Sequence, residues 1–235
     1  MNYNLFSKNS QIEKMFDRIS PKYDLINHIL SFGADFTWRK KVVSVISSTK
    51  KVLDLASGTG DLAIMLVKTI KGLDVIGLDI SDGMLEIGRK KIKTLKLENR
   101  IKMLKGNSRS MLFESNFFDA VTVSFGLRNF ECLDLCFKEI HRVLKPGGGF
   151  VVLEFSKPKR KIIKYLYTFY LHTLKFIGFL LSGDNHAYSY LQRSIFSFSH
   201  KSHIEKVFMD KGFLVKKIIP LTLGIVSIYV SNKME

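Results

Sequence analysis

The sequence predicts an α/β fold built on a mostly parallel sheet, and three observations carry that expectation. Short apolar runs alternate with helical stretches from residue 51 onward, as in sheets whose strands are buried on both faces and joined by right-handed crossover helices. A glycine turn, Ala56-Ser57-Gly58-Thr59-Gly60, follows the first apolar run directly. An acid, Asp79, closes the second run 21 residues after Gly58.

Ile12, Met15, Phe16 and Ile19 stand at i, i+3, i+4 and i+7, the spacing of an amphipathic helix. Ser20-Pro21 is expected to end it, because the residue before a proline is pushed out of the helical region. Lys51–Leu55 reads as the first strand, Leu62–Ile70 as a helix and Val75–Asp79 as the second strand. Ser81 can cap the next helix, with Leu85, Gly88, Ile92 and Leu95 facing inward and Lys90, Lys91, Lys93 and Lys96 facing out. Ile101–Leu104 and Ala120–Phe125 are further strands. Leu133, Phe137, Ile140 and Leu144 mark a helix closed by Lys145-Pro146-Gly147-Gly148, and Phe150–Phe155 is a continuous apolar strand. Phe213–Ile219 and Gly224–Ser231 read as an antiparallel hairpin turning around Pro220, which brings the sheet to seven strands.

With 46% hydrophobic and 25% charged residues in 235, disorder and collagen-like composition are excluded. Two cysteines four residues apart, Cys132 and Cys136, make no disulfide framework and suit a reducing compartment. The start MNYNLFSKNSQ lacks the charged lead and apolar run of a secretory signal, so a cytoplasmic location is expected. A net charge of +16 points to nucleic acid, an anionic membrane or an anionic ligand, or merely to many solvated lysines. Residues 162–181 are the most hydrophobic stretch, but Lys164, His172 and Lys175 interrupt it, so it falls short of a clean membrane span. Its basic lead-in, Lys157, Lys159, Arg160 and Lys161, suits a helix lying on a membrane or covering an apolar pocket. A buried helix pair of the core is the competing reading.

Strand, glycine turn and helix together make a nucleotide-type loop. Glycine lets the chain turn sharply, and the free N–H groups at a helix start attract negative charge. An acid at the end of the second strand can accept both hydroxyls of a ribose. The run Gly58-Thr59-Gly60-Asp61-Leu62-Ala63 also satisfies a dinucleotide pattern, so the loop alone leaves the nucleotide open.

The order of motifs resembles the Rossmann-like class I S-adenosylmethionine (SAM)-dependent methyltransferases: glycine loop, Asp79, LKPGGGF before the fifth strand, and a C-terminal hairpin. The resemblance extends to the ubiquinone/menaquinone biosynthesis C-methyltransferase family. It rests on Y-D-x-x-N-x-x-x-S-x-G-x-D-x-x-W at 23–38, L-D-L-A-S-G-T-G-D at 53–61, Phe125-Gly126-Leu127-Arg128-Asn129, and RVLKPGGGFVVLEFS at 142–156. Gly183-Asp184 and Tyr188 to Ile195 add a fifth segment.

That resemblance implies SAM as cofactor, with Gly58, Thr59 and Gly60 at its methionine end and Asp79 on its ribose. It puts Met84, Asn107 and Ser108 beside its adenine, and Ser124 in its cleft. It implies C-methylation of a prenylated quinol, demethylmenaquinol before the methoxybenzoquinol of ubiquinone synthesis, with no metal. Arg128 would hold the oxyanion or a proton-accepting water, Asn129 would orient the ring, and Tyr23, Asp24 and Asn27 would form a lid. The isoprenoid tail makes peripheral contact with the inner face of a membrane an expectation. The expected organisation is one domain: 1–48 a helical lid, 49–156 the SAM-binding core, 157–200 a helical substrate or membrane segment, 201–235 the last helix and hairpin. A homodimer is compatible with the sequence.

Two departures from the family pattern stand out. Asp35 occupies a usual histidine position, and Asn107 replaces an aspartate, keeping an acceptor but losing the charge. Cys132, Cys136 and His141 share a helix but read as core cysteines and a surface histidine rather than a ligand set. The charge raises one alternative, an RNA methyltransferase of the same fold, and a non-catalytic or NAD-binding Rossmann domain is another. Ser124 to Asn129 is not the N/D-P-P-Y of amino-methylating enzymes, and no Pro-Cys nucleophile follows, so nucleic acid is not the expected partner.

Overall fold

The computed structural model describes residues 3–46, 49–182, 185–199 and 204–234. Two helices come first, α1 (Tyr3–Leu30) and α2 (Ala34–Val45). The alternating part follows as β1 (Lys51–Leu55), α3 (Asp61–Thr69), β2 (Asp74–Asp79), α4 (Asp82–Thr94), β3 (Ile101–Lys105), β4 (Phe118–Ser124), α5 (Leu133–Val143) and β5 (Leu144–Phe155). Three helices, α6 (Lys161–Ser182), α7 (Asn185–Ser199) and α8 (Ile204–Asp210), precede β6 (Phe213–Leu221) and β7 (Val226–Lys233).

All seven strands form one sheet in the order β3-β2-β1-β4-β5-β7-β6. The first five are parallel, and β7 runs antiparallel between β5 and β6. Side chains alternate across the sheet, as strand pleating requires. Val52, Val75, Ala120 and Val151 meet α2, α3 and α4 on one face. Leu53, Val121, Phe150 and Val152 meet α5 and α8 on the other. β1 is paired with β2 on one side and β4 on the other, so neighbouring connections diverge there. Such a switch point opens a crevice beyond the carboxyl ends of the strands.

The first helix does not stop at Ser20-Pro21; α1 runs on to Leu30 with Pro21 inside it. Proline lacks the N–H that would serve the carbonyl of Asp17, and the Ser20 hydroxyl donates to that carbonyl instead, at 2.9 Å. The apolar face also continues past the proline: Met15, Ile19 and Ile26 are buried in one cluster with Met84 of α4 and Ala187 and Tyr188 of α7. Packing on both sides of the proline therefore overrides the local rule.

Three smaller expectations are corrected. Lys91 turns inward from α4 to acidic partners, whereas Leu95 is exposed. The hairpin turns at Thr222–Gly224, so Pro220 lies within β6. β5 begins at Leu144, ahead of the Lys145-Pro146-Gly147-Gly148 segment. Ser81 caps α4 as expected, accepting from Met84 N at 3.2 Å. Asp17 of α1 accepts from Ser81 Oγ at 2.6 Å and Gly83 N at 2.9 Å, setting a carboxylate at that positive helix end.

The apolar stretch from 162 forms most of α6. Tyr167, Leu171 and Leu174 are buried, whereas Ile162, Tyr165, Leu166 and Phe169 are exposed. One helix thus has both the core face and the open face that the two readings of this segment required. Among the described residues no helix is long and apolar enough to cross a membrane. Gly183-Asp184 lie outside the described residues.

Candidate active site

The crevice opens where β1 and β4 end. Ala56 and Phe125, the residues just past those strands, hold left-handed conformations with φ +52° and +56°, a backbone cost that non-glycine residues bear mainly where tertiary structure enforces it. Gly58 (φ +56°) and Gly60 (φ +78°) complete the turn into α3. α4 packs against this loop at Gly88, where a Cβ would meet the Thr59 backbone at 3.2 Å and the Met103 side chain at 2.9 Å.

Asp79 faces the loop. Its two oxygens accept from Gly58 N at 2.8 Å and Ser81 N at 2.9 Å, and each keeps a lone pair. Burial pushes its carboxyl above the usual range, against the opposing pull of those backbone donors. The crevice holds about 770 Å³ of empty space, a figure that includes open solvent at its mouth. It brings together Tyr23, Gly58, Asp79, Met84, Asn107, Ser108, Ser124 and Asn129 of the sequence-predicted residues.

Details modify several of these. Asn107 Oδ1 accepts from Arg109 N at 3.0 Å in a local turn, so the oxygen is already partly engaged. Ser108 Oγ lies 3.2 Å from Cys136 Sγ, and burial pushes that thiol up to about 11, leaving it protonated at neutral pH. Ser124 Oγ and both Glu131 oxygens are buried in the cleft wall with no hydrogen-bond partner among the described residues. Arg109 Nη1 approaches Glu131 only to 3.5 Å. Orphaned polar atoms facing a cleft fit a polar ligand better than an empty core.

Thr59, Gly60 and Asp24 are not part of that lining. The Thr59 hydroxyl donates to Asp24 Oδ1 at 2.5 Å. Lys91 donates to Asp24 Oδ2 at 2.9 Å and pairs with Asp61. The glycine loop, α3, α4 and α1 are therefore joined by one half-buried charge cluster. Sequence reasoning missed it because α4's lysines all look solvated in a helical wheel.

A second cavity, about 680 Å³ with the open solvent at its mouth included, lies beside the first, and Tyr23 and Phe125 wall both. Trp38, Phe155, Leu171, Leu174, Leu191 and Ile225 make it largely apolar. Arg128 lines it, with its side chain 7% exposed and paired with fully buried Glu154 at 2.8 Å. Arg128 Nη1 also donates to the Phe125 carbonyl, and the guanidinium sits 5.2 Å from the Phe155 ring centre. Arg128 Nε and Tyr167 Oη have no partner among the described residues. Asn129 instead faces the first cleft, its oxygen accepting from Tyr190 at 3.0 Å. Burial raises the Tyr23 phenol, while the charges of Arg128 and Arg39 oppose that rise.

Asp35, the departure from the family's histidine, also lines the second cavity. It accepts from Ser31 Oγ at 2.8 Å, Arg39 Nη1 and His28 Nδ1, the last at 2.7 Å. Burial alone would raise its carboxyl, but Ser31 and Arg39 hold it below the usual range. A histidine is thus present beside position 35, seven residues earlier in the chain. His141 is half-buried against Phe213 rather than a surface histidine. Among the described residues no three His, Cys, Asp or Glu side chains gather as a metal-holding group.

A seven-stranded sheet reversed only at β7, with its cleft at the β1/β4 switch, defines a Rossmann-like class I methyltransferase fold. A SAM-dependent methyltransferase from Aquifex aeolicus shares it, with TM-score 0.62 and 16% identity over 83% of this chain and 89% of that one. Sequence narrows the class further. The profile of the ubiE/COQ5 methyltransferase family matches residues 5–233, and the chain belongs to that family of SAM-dependent enzymes. The demethylmenaquinone methyltransferase of Bacteroides fragilis is 41% identical over 229 residues, 96% of this chain and 94% of its own. The ubiquinone/menaquinone biosynthesis C-methyltransferase UbiE of Geotalea daltonii is 37% identical over 235 residues, 98% and 100%.

Proposed function

We propose that this enzyme methylates a ring carbon of a prenylated quinol, demethylmenaquinol in preference to the methoxybenzoquinol of ubiquinone synthesis. The observation that carries the reading is the pair of abutting cavities, the first holding Asp79, Asn107, Ser108 and Glu131 among its lining and the second walled largely by apolar side chains, with Tyr23 and Phe125 in the wall of both. SAM, when bound, supplies an electrophilic methyl group. Asp79 accepts the ribose hydroxyls on its remaining lone pairs, with Met84 packed beside the adenine and Asn107 and Ser108 at its edge. The Gly58 backbone and the orphaned Ser124 hydroxyl face the methionine end. Thr59 serves that end indirectly, by fastening Asp24 and hence the lid.

A quinol becomes a carbon nucleophile once its hydroxyl proton leaves and the oxygen pushes density onto the neighbouring ring carbon. Arg128 presents its free Nε–H to that oxygen, and the apolar walls keep water from competing for the methyl group. Asn129, held by Tyr190, lies on the cofactor side of the ring and limits its tilt. The exposed face of α6, with Lys157, Lys159, Arg160, Lys161 and Lys164 around it, is read as a peripheral contact with an anionic bilayer from which the tail is drawn.

The test is methyl transfer from labelled SAM into short-tailed naphthoquinol, short-tailed methoxybenzoquinol and RNA. Label in the naphthoquinol is the expected result, and label confined to RNA would overturn the reading. Sedimentation with anionic vesicles tests the membrane contact, and a protein that stays in the supernatant at low salt refutes it.

A further inference from the structure

Two buried donors in the second cavity lack partners among the described residues, and they differ in origin. Arg128 Nε comes from the loop after β4; its Nη1 is already engaged by Glu154 and the Phe125 carbonyl. Tyr167 Oη comes from α6, on a residue only 7% exposed. Its neighbour Tyr170, one turn further along α6, lines the same cavity, but its hydroxyl donates to the Leu30 carbonyl. An orphan hydroxyl is therefore not a general feature of this aromatic wall. Buried polar hydrogens without acceptors are rare in folded proteins and call for a ligand or another explanation.

We propose that Tyr167 and Arg128 together form a paired-donor site for one ring oxygen of the substrate. This rests on reading the second cavity as the quinol site and adds a catalytic residue to it. Guanidinium has no acceptor, and burial, the largest influence on Tyr167, holds its phenol far above its ordinary value, so it stays a donor rather than a base. Both groups thus select an oxygen lone pair, which the ring offers and the hydrocarbon tail does not. The second donor has a physical reason. Glu154 already neutralises Arg128, so the guanidinium alone is a weakened partner for an oxygen that gains charge. A neutral hydroxyl adds a fixed dipole there without adding another ion. Donors aimed at developing charge inside a dry site are the groups that accelerate such steps.

The test is Tyr167→Phe in the full chain, with Tyr170→Phe as control. Trp38, the only tryptophan, lines the cavity and reports binding by fluorescence quenching. The probes are a short-tailed 1,4-naphthoquinone and the same prenylated naphthalene without oxygens. Tyr167→Phe is expected to weaken quinone binding about tenfold and leave naphthalene binding unchanged. Turnover of the reduced ring should fall by roughly ten- to a hundredfold, at or below the loss seen for an oxyanion donor, with SAM affinity intact. Its melting temperature should not drop, because no hydrogen bond is removed; Tyr170→Phe should melt earlier yet still discriminate the two probes. Quinone affinity equal to wild type, or an equal loss for both probes, overturns the paired-donor site. If the wild-type protein binds neither probe, the quinol reading fails, and the paired site with it.

Discussion

Removing Arg128 tests catalysis and folding at once, and the structure separates the two. Arg128 is 7% exposed and Glu154 fully buried. In Arg128→Met, Glu154 keeps only backbone donors, from Phe155 N at 3.0 Å and residue 128 N at 3.3 Å. Leaving one partner of a buried pair uncompensated costs about 3–5 kcal/mol, a large share of the roughly 5–15 kcal/mol that holds a domain folded. For a chain of this size that is a fall of roughly 6–20 °C in melting temperature. Replacing both members, Arg128→Met with Glu154→Leu, removes the stranded charge and should restore most of the lost stability. Turnover should stay low in the single and double variants alike, with SAM affinity near wild type in the double. Thermal melts, SAM calorimetry and labelled methyl transfer measure all of this. A double variant that regains turnover would show that Arg128 has no part in the reaction. A single variant that melts like wild type would show that the Glu154 pair is not what holds this corner together.

Other outcomes follow from the same geometry. Asp79→Ala should weaken SAM binding at least tenfold by removing both acceptors at the end of β2; calorimetry showing unchanged affinity would remove Asp79 from the site. Asp54 is fully buried, and burial pushes its carboxyl to about 6 despite the hydrogen bond from Thr122. Its folded state holds the proton more tightly than the unfolded one, so its contribution is favourable below pH ~4 and lost as pH rises through about 6, on the order of 3 kcal/mol. Asp54→Asn should therefore raise the melting temperature more at pH 7.5 than at pH 5, and an equal effect at both would count against the shift. Pro21→Ala should stabilise α1 by about 1–3 kcal/mol, because it gives the Asp17 carbonyl back its N–H; a lower melting temperature would mean that the proline is needed for packing.

The parallel strands, the glycine turn, the acid ending β2, the Ser81 cap and the terminal hairpin were all legible in the sequence. Each depends on a short-range signal: period, turn chemistry, or a residue type at a strand end. The orientation of Lys91 was not legible, because a lysine on a polar helix face looks solvated until Asp24 and Asp61 arrive from elsewhere. Nor was the passage of α1 through Pro21, where Ser20 and the buried face on either side outweigh a rule that concerns only neighbouring residues.

By itself the chain determined its sheet and most of the residues that line the cleft beyond β1 and β4, since these follow from local patterning and from motifs along one stretch of backbone. Only the tertiary structure decided that Tyr23 and Phe125 wall two cavities, that Glu154 takes up Arg128's charge, that His28 stands beside Asp35, and that the Tyr167 hydroxyl is unpartnered among the described residues. The reason is physical. Whether a polar group is paired or orphaned depends on which distant residues reach it when the core closes, and no spacing along the sequence encodes that distance.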